Sequence, residues 1–284
     1  MLRIRTMRPE DIAFAIKLSG HEKWGIPRAD FERILRLDPR GSFIACDGKA
    51  RVGITTTTSY GRKLAWIGNV VVHRNYRGKH IGRSLVQHAV AYLRKSRVEH
   101  IALYCFTENI KFYQNLGFVK DVPFVRLRRK AKPVNYQETE FGLRLPLPHE
   151  GVLSADKKAF GADRSRLIRL ILRAKAGWYI GWTSDLAEVS YLVVKVYDDM
   201  HEFGPWVCMG PREEEGKKML RRALSRTGSG PVEVSCLRRN HEALSLLKSE
   251  GFREIREGRR MYFDEKAHIG DDRAQYALGF LDKG

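Results

Sequence analysis

One pattern recurs along this chain and limits what it can fold into. An apolar strand, a helix and a Gly-Phe pair follow one another from Ala102 to Phe118, and again from Val232 to Phe252. The first copy ends Phe112-Tyr113-Gln114-Asn115-Leu116-Gly117-Phe118; the second ends Leu246-Leu247-Lys248-Ser249-Glu250-Gly251-Phe252. A longer helical stretch precedes each. Such an echo points to two copies of one fold, the second diverged. With 284 residues, the chain exceeds the commonest single domain and suits two.

Apolar spacing assigns the elements of the first half. Leu2 and Ile4 alternate with Arg3 and Arg5, as in a strand. Ile12 to Leu18 and Ala29 to Leu37 read as helices, the second stopped by Pro39 and Gly41. Ser42 to Cys46, Asp47-Gly48 and the stretch from Val52 read as a hairpin. Leu64 to Val72 is a strand, and Ile81 to Arg94 an amphipathic helix with Leu85, Val86, Ala89, Val90 and Leu93 inward. Ile101 to Cys105 is a strand, Asn109 to Leu116 a short helix, and Val122 to Leu127 a strand.

The basic run Arg126 to Lys132 reads as solvated linker charge, with contact to a cofactor's phosphate or an acidic partner as its alternative, and Pro133 with the polar stretch holding Pro146 and Pro148 marks the boundary. The expected division is therefore a domain over 1–132, a linker over 133–150 and a domain over 151–284. In the second half, helices are expected at Asp163 to Arg173, Glu213 to Leu224 and Asn240 to Lys248. Strands are expected at Trp178 to Thr183, Val189 to Val196, Val232 to Cys236 and near Arg259 to Phe263.

Composition excludes several classes. The 43% hydrophobic content rules out wholesale disorder, and no stretch approaches the ~20 apolar residues that span a bilayer. The start, MLRIRTMRPED, carries no apolar signal core, so a cytoplasmic location is expected. Cys46, Cys105, Cys208 and Cys236 are widely spaced, without a CxxC or a His pair, so neither a metal site nor a disulfide framework is expected. Net charge is +19, and it is uneven: 28 Lys and Arg against 12 Asp and Glu in residues 1–144, but 24 against 21 in 145–284. An anionic partner should prefer the first half. Charge alone does not choose among nucleic acid, a polyphosphorylated cofactor and an acidic protein.

The sharpest local signal is Val70-Val71-Val72-His73-Arg74-Asn75-Tyr76-Arg77-Gly78-Lys79-His80-Ile81-Gly82-Arg83. A buried-type strand runs into a basic turn that opens a long helix. Free N–H groups and the dipole at a helix N-terminus favour an anion there. Gly78 and Gly82 allow close approach, and the run fits a pyrophosphate cradle. It is neither a Walker A loop nor a GxGxxG turn. Its plain alternative is an ordinary basic strand–helix turn.

This run resembles motif A of the GNAT acyltransferases, R/Q-x-x-G-x-G/A after a strand. Arg77, Ile81 and Gly82 match, and His80 stands where the family usually has its first Gly. Phe112-Tyr113 with Gly117-Phe118 resembles motif B. The resemblance covers roughly residues 2–129. The second half is similar to GNAT-like domains that follow some GNAT domains, through Phe160-Gly161-Ala162-Asp163-Arg164, Gly204-Pro205-Trp206-Val207 and Gln275-Tyr276-Ala277-Leu278-Gly279-Phe280. It lacks motif A. Cys208-Met209-Gly210-Pro211-Arg212-Glu213-Glu214-Glu215 stands there, and three carboxylates repel a pyrophosphate. Leu247 replaces Tyr113.

The resemblance implies an α/β fold of two tandem GNAT-like domains, each a mixed, mostly antiparallel twisted sheet flanked by helices. It implies acetyl transfer from acetyl-CoA to a primary amine of a small molecule or protein. The two central strands should splay, Val70, Val71 and Val72 flanking the pantetheine arm. Arg77, Gly78, Lys79, His80, Ile81 and Gly82 would hold the pyrophosphate, and Tyr113 would protonate the departing thiolate. Trp24 is a candidate lid over the acceptor pocket, or a packing residue; Asn69 is a candidate to orient substrate or water. No carboxylate occurs in Trp66-Ile67-Gly68-Asn69, so the general base is not evident in the sequence: a water chain to the bulk or a residue of the second domain could serve, and His73 and His80 titrate in the right range but stand by the cradle. Two other classes stay open: a non-catalytic acyl-CoA sensor or partner-binding protein, and a basic protein associated with nucleic acid or the ribosome.

Overall fold

A computed structural model describes residues 2–131, 150–173, 177–183, 188–197, 199–210, 212–228 and 230–284. Each periodic stretch of the first half takes the element its period dictates. β1 (Leu2–Thr6) leads to α1 (Ile12–Gly20) and α2 (Arg28–Leu37). The hairpin β2 (Ser42–Asp47) and β3 (Ala50–Tyr60) turns at Gly48, whose φ of +57° suits glycine. β4 (Leu64–Val72) feeds α3 (Ile81–Lys95), whose five expected inward residues are all buried. β5 (His100–Phe106), α4 (Ile110–Gln114) and β6 (Phe118–Arg129) complete this half.

The second half opens with α5 (Glu150–Phe160), absent from the expectations, and α6 (Ser165–Leu172). β7 (Gly177–Thr183), β8 (Val189–Val196) and β9 (His201–Val207) form a meander. α7 (Arg212–Ser225), β10 (Val232–Leu237), α8 (His241–Ser249), β11 (Arg253–Phe263) and β12 (Gln275–Ala277) follow.

The strands form one mixed, mostly antiparallel sheet in the order β1-β2-β3-β4-β5-β11-β6-β10-β9-β8-β7, with β12 on β9. The halves interleave. β11 lies antiparallel between β5 and β6, and β6 continues the sheet onto β10. This corrects the reading of Arg126 to Lys132 as a solvated linker. Arg126 and Arg128 stand in β6 and both pair with Glu233 of β10, while Arg129 is buried and donates to Glu250 O at 2.9 Å. Residues 132–149, nearly all of the expected linker, lie outside the described residues.

The core is shared as well. One cluster joins Tyr60, Leu64 and Trp66 to Val152, Phe160, Ile168, Tyr191 and Phe280. Trp66 is fully buried there, its ring packed on Tyr104 with centroids 4.8 Å apart and its Nε1 without a hydrogen-bond partner among the described residues. Beside this cluster, Arg164 lies over the Phe160 ring and donates Nε to Asp156 at 2.9 Å and Nη1 to Gly284 O at 2.7 Å. Among the described residues, no helix is long and apolar enough to cross a membrane.

Candidate active site

The site begins where two parallel strands part. β4 and β5 pair only at Leu64–His100, Ala65–Ile101 and Trp66–Ala102. Beyond Trp66, β4 runs on without β5 as a neighbour. Against β3, Ile54 faces Val71 and Thr56 faces Gly68, so Thr55 opposes both Asn69 and Val70. This bulge bends β4 away. Asn69 takes the positive φ, +52°, a backbone shape Asn tolerates better than most residues. A cleft of about 1050 Å3 opens in the gap.

At one end stands the basic turn. Gly78 (φ +79°) and His80 (φ +57°) are both left-handed, so His80 adopts the shape that a glycine would supply. His80 is the N-cap of α3 but its side chain makes no capping bond, which leaves the first-turn N–H groups of α3 open to an anion. Arg77 donates Nε to Val72 O at 3.1 Å and pairs with Glu22. Val70, Val71, Val72, Arg77, Gly78, His80, Ile81 and Gly82 all line the cleft. Lys79 does not; its Nζ lies 5.3 Å from the Tyr76 ring centroid.

Tyr113 lines the same cleft from α4. Phe112 and Phe118 hold its ring edge-on, with centroids 5.0 and 5.8 Å away. Burial, and Cys105 as the lesser cause, push its phenol above its ordinary value, so it stays protonated at neutral pH. Burial pushes the Cys105 thiol up to about 12. Cys105 is therefore a neutral neighbour.

Asn69 stands at the bulge, and Trp24, 39% exposed, lines the cleft from a loop whose Glu22 pairs with Arg77. At the bulge the chain's last residues arrive. Asn69 Nδ2 donates to Asp282 Oδ2 at 2.8 Å and to Thr56 Oγ1 at 3.1 Å. Lys283 Nζ, buried, pairs with Asp282. The segment is tied down by Lys195 Nζ donating to Gly279 O at 2.7 Å and by Tyr60 Oη donating to Lys283 O. Burial lowers the Lys195 amine below its ordinary value, against the pull of Glu202. Asp282 escaped the sequence reading because only the fold brings it beside β4. The one available signal was the missing carboxylate on β4 itself.

The acetyltransferase (GNAT) family profile matches residues 11–118, and an acetyltransferase (GNAT) domain profile matches residues 152–277. The chain belongs to the GNAT family, with two GNAT domains in tandem. Its fold is similar to that of a putative acetyltransferase from Pyrococcus horikoshii. That likeness has a TM-score of 0.82 and 23% identity, over 100% of this chain and 96% of that one. A tandem GNAT protein from the clavulanic acid biosynthesis pathway aligns at TM-score 0.69 and 14% identity, over 94% of this chain and 100% of that one. At these identities, the likenesses establish the fold alone. The uncharacterised N-acetyltransferase ycf52 of Pyropia yezoensis is 31% identical over 70 residues, which is 25% of this chain and 40% of that protein.

The second GNAT domain repeats the strand geometry but closes the gap. β9 and β10 run parallel only at Val232–His201, Glu233–Glu202 and Val234–Phe203. Where they part, β12 pairs with β9 at Val207 and Trp206, and Leu278 N donates to Ser235 O of β10 at 2.8 Å. Tyr276, fully buried, packs on Trp206 with ring centroids 5.0 Å apart. Glu213 and Glu214 are exposed at the start of α7, whereas Glu215 is buried and accepts from Ser190 Oγ at 3.1 Å. Leu247, in the place of Tyr113, is a core residue.

Proposed function

We propose that the first GNAT domain is the working one and transfers an acetyl group from acetyl-CoA to a primary amine. The observation that carries this reading is the single cleft joining the splayed edge of β4, the left-handed turn before α3, and Tyr113. Acetyl-CoA would supply the acetyl thioester.

The residues present fit that cofactor. The unpaired edge of β4 from Val70 to Val72 offers backbone groups to an extended amide arm, as a strand would. Arg77, Gly78, His80, Ile81 and Gly82 frame the α3 N-terminus, which would hold the pyrophosphate by N–H groups and dipole. Lys79 would add only distant charge. Tyr113, a buried phenol that is neutral at neutral pH, would give its proton to the sulfur that leaves. Asn69 and Trp24 border the acceptor's approach. The filled gap supports reading the second domain as scaffold, which helps shape the acceptor end through its last residues.

A thiol-release assay tests this function. The wild type should release CoA thiol from acetyl-CoA when a primary amine is present. Tyr113→Phe should lower kcat by roughly 100-fold, within the range for a lost general acid, and leave acetyl-CoA affinity unchanged. Unaltered turnover in Tyr113→Phe would remove Tyr113 from the reaction.

A further inference from the structure

The first domain carries no carboxylate on β4 beside the bulge, yet the cleft has one there. The segment that delivers it is held by its backbone: Gly279 O, Lys283 O and Gly284 O accept from Lys195, Tyr60 and Arg164. Gly68 has room for that backbone because it lacks a side chain. A Cβ there would lie 2.6 Å from Asp282 Cα. Building on the proposed acetyl transfer, we infer that Asp282 is the acceptor-side catalytic carboxylate, which holds the incoming primary ammonium and takes its proton.

Hydrogen-bond capacity supports the assignment. An ionised carboxylate offers about four lone-pair sites. Lys283 Nζ takes one on Oδ1 at 2.9 Å and one on Oδ2 at 2.8 Å, and Asn69 Nδ2 takes another on Oδ2. Among the described residues, one site on Oδ1 remains. Asp282 is 17% exposed and lines the cleft, so that site can meet a ligand, whereas Lys283 is 1% exposed and serves as an internal counter-charge. Asn69 acquires a role too: it orients Asp282.

In the step itself, the ammonium gives one proton to Asp282, which passes it to water. The freed nitrogen lone pair forms the C–N bond to the acetyl carbon as the C–S bond breaks. Tyr113 protonates the departing sulfur and is itself restored by the nitrogen's second proton through water. The products are an amide, a thiol and one released proton.

Thiol release is measured with n-propylamine as the acceptor, and with water alone as the slower acceptor, beside calorimetric binding of acetyl-CoA. Asp282→Asn leaves buried Lys283 without its partner, so the paired variant Asp282→Asn/Lys283→Met is measured too, because it removes both charges together. Expected is a loss of at least about 100-fold in kcat for both, with acetyl-CoA affinity within twofold of wild type. Lys283→Met alone should stay within tenfold, and the deficit of Asp282→Asn should narrow as pH approaches that of the free amine's own deprotonation. Folded Asp282 variants within threefold of wild type would overturn the assignment and leave the acetyl-transfer reading standing. Wild type that binds acetyl-CoA but releases thiol to neither acceptor would also overturn it. Wild type that does not bind acetyl-CoA would overturn the underlying reading and this assignment with it.

Discussion

Asn69 Nδ2 donates to Asp282 Oδ2 at 2.8 Å, across 213 positions of sequence. Through that bond, the bulge of the first GNAT domain meets a segment that has just filled the equivalent gap of the second. The same stretch, Gln275 to Gly284, thus closes one slot and furnishes another.

Gly68→Ala probes this meeting directly. Its added methyl collides with the Asp282 backbone, which must move. We expect a fall in kcat of roughly tenfold or more with acetyl-CoA binding retained, because misplacing a reacting group costs turnover before affinity. Steady-state kinetics beside calorimetry read both. Unchanged kcat would show that the segment's position is immaterial.

The second half packs around a buried pair, Arg164 and Asp156, which are 2% and 1% exposed. Tyr191 Oη also donates to Asp156. Removing one partner strands a buried charge, so Arg164→Leu should cost about 3–5 kcal/mol in urea unfolding. Arg164→Leu/Asp156→Leu should cost less than Arg164→Leu alone. A single variant as stable as wild type would contradict this role for the pair.

Acid sensitivity follows from Asp11. Burial pushes its carboxyl up, but hydrogen bonds from Arg5, the Arg8 backbone and Arg51 outweigh it and bring it down to about 2. A carboxyl lowered by folding stabilises the protein above its unfolded value of about 4, and that stability is lost as pH falls through the folded value. Urea unfolding should therefore weaken between about pH 4 and pH 2 from this residue. Asp11→Asn should be less stable at neutral pH and show a shallower decline over that window. An identical slope in both proteins would exclude the contribution.

What could be read in the sequence was local. The turn from Arg77 to Gly82 and the offset of Tyr113 from Gly117-Phe118 are contiguous patterns, and the fold places them on one cleft. The left-handed His80 was legible because the position calls for a glycine-like backbone. Partner choice was not legible. β11 reads as an ordinary strand, and nothing in Arg253 to Phe263 says that it enters between β5 and β6. Arg126 and Arg128 look like linker charge because Glu233 lies more than 100 positions away. β12 is too short, at three residues, to show a period. Asp282 is invisible for the same reason as the pairing of β11: its meaning comes from a contact made only by the folded chain.

On the reading proposed above, one cleft, in the first domain, binds acetyl-CoA while the second slot is filled by the chain itself. Calorimetric titration of acetyl-CoA into wild type and Gly82→Glu tests it most directly. A Glu at this point of the α3 N-terminus sets a negative charge against the pyrophosphate. The expected result is saturation at one acetyl-CoA per chain for wild type, and loss of binding in a Gly82→Glu variant that melts like wild type. Two equivalents per chain, or binding that survives the substitution, would contradict it.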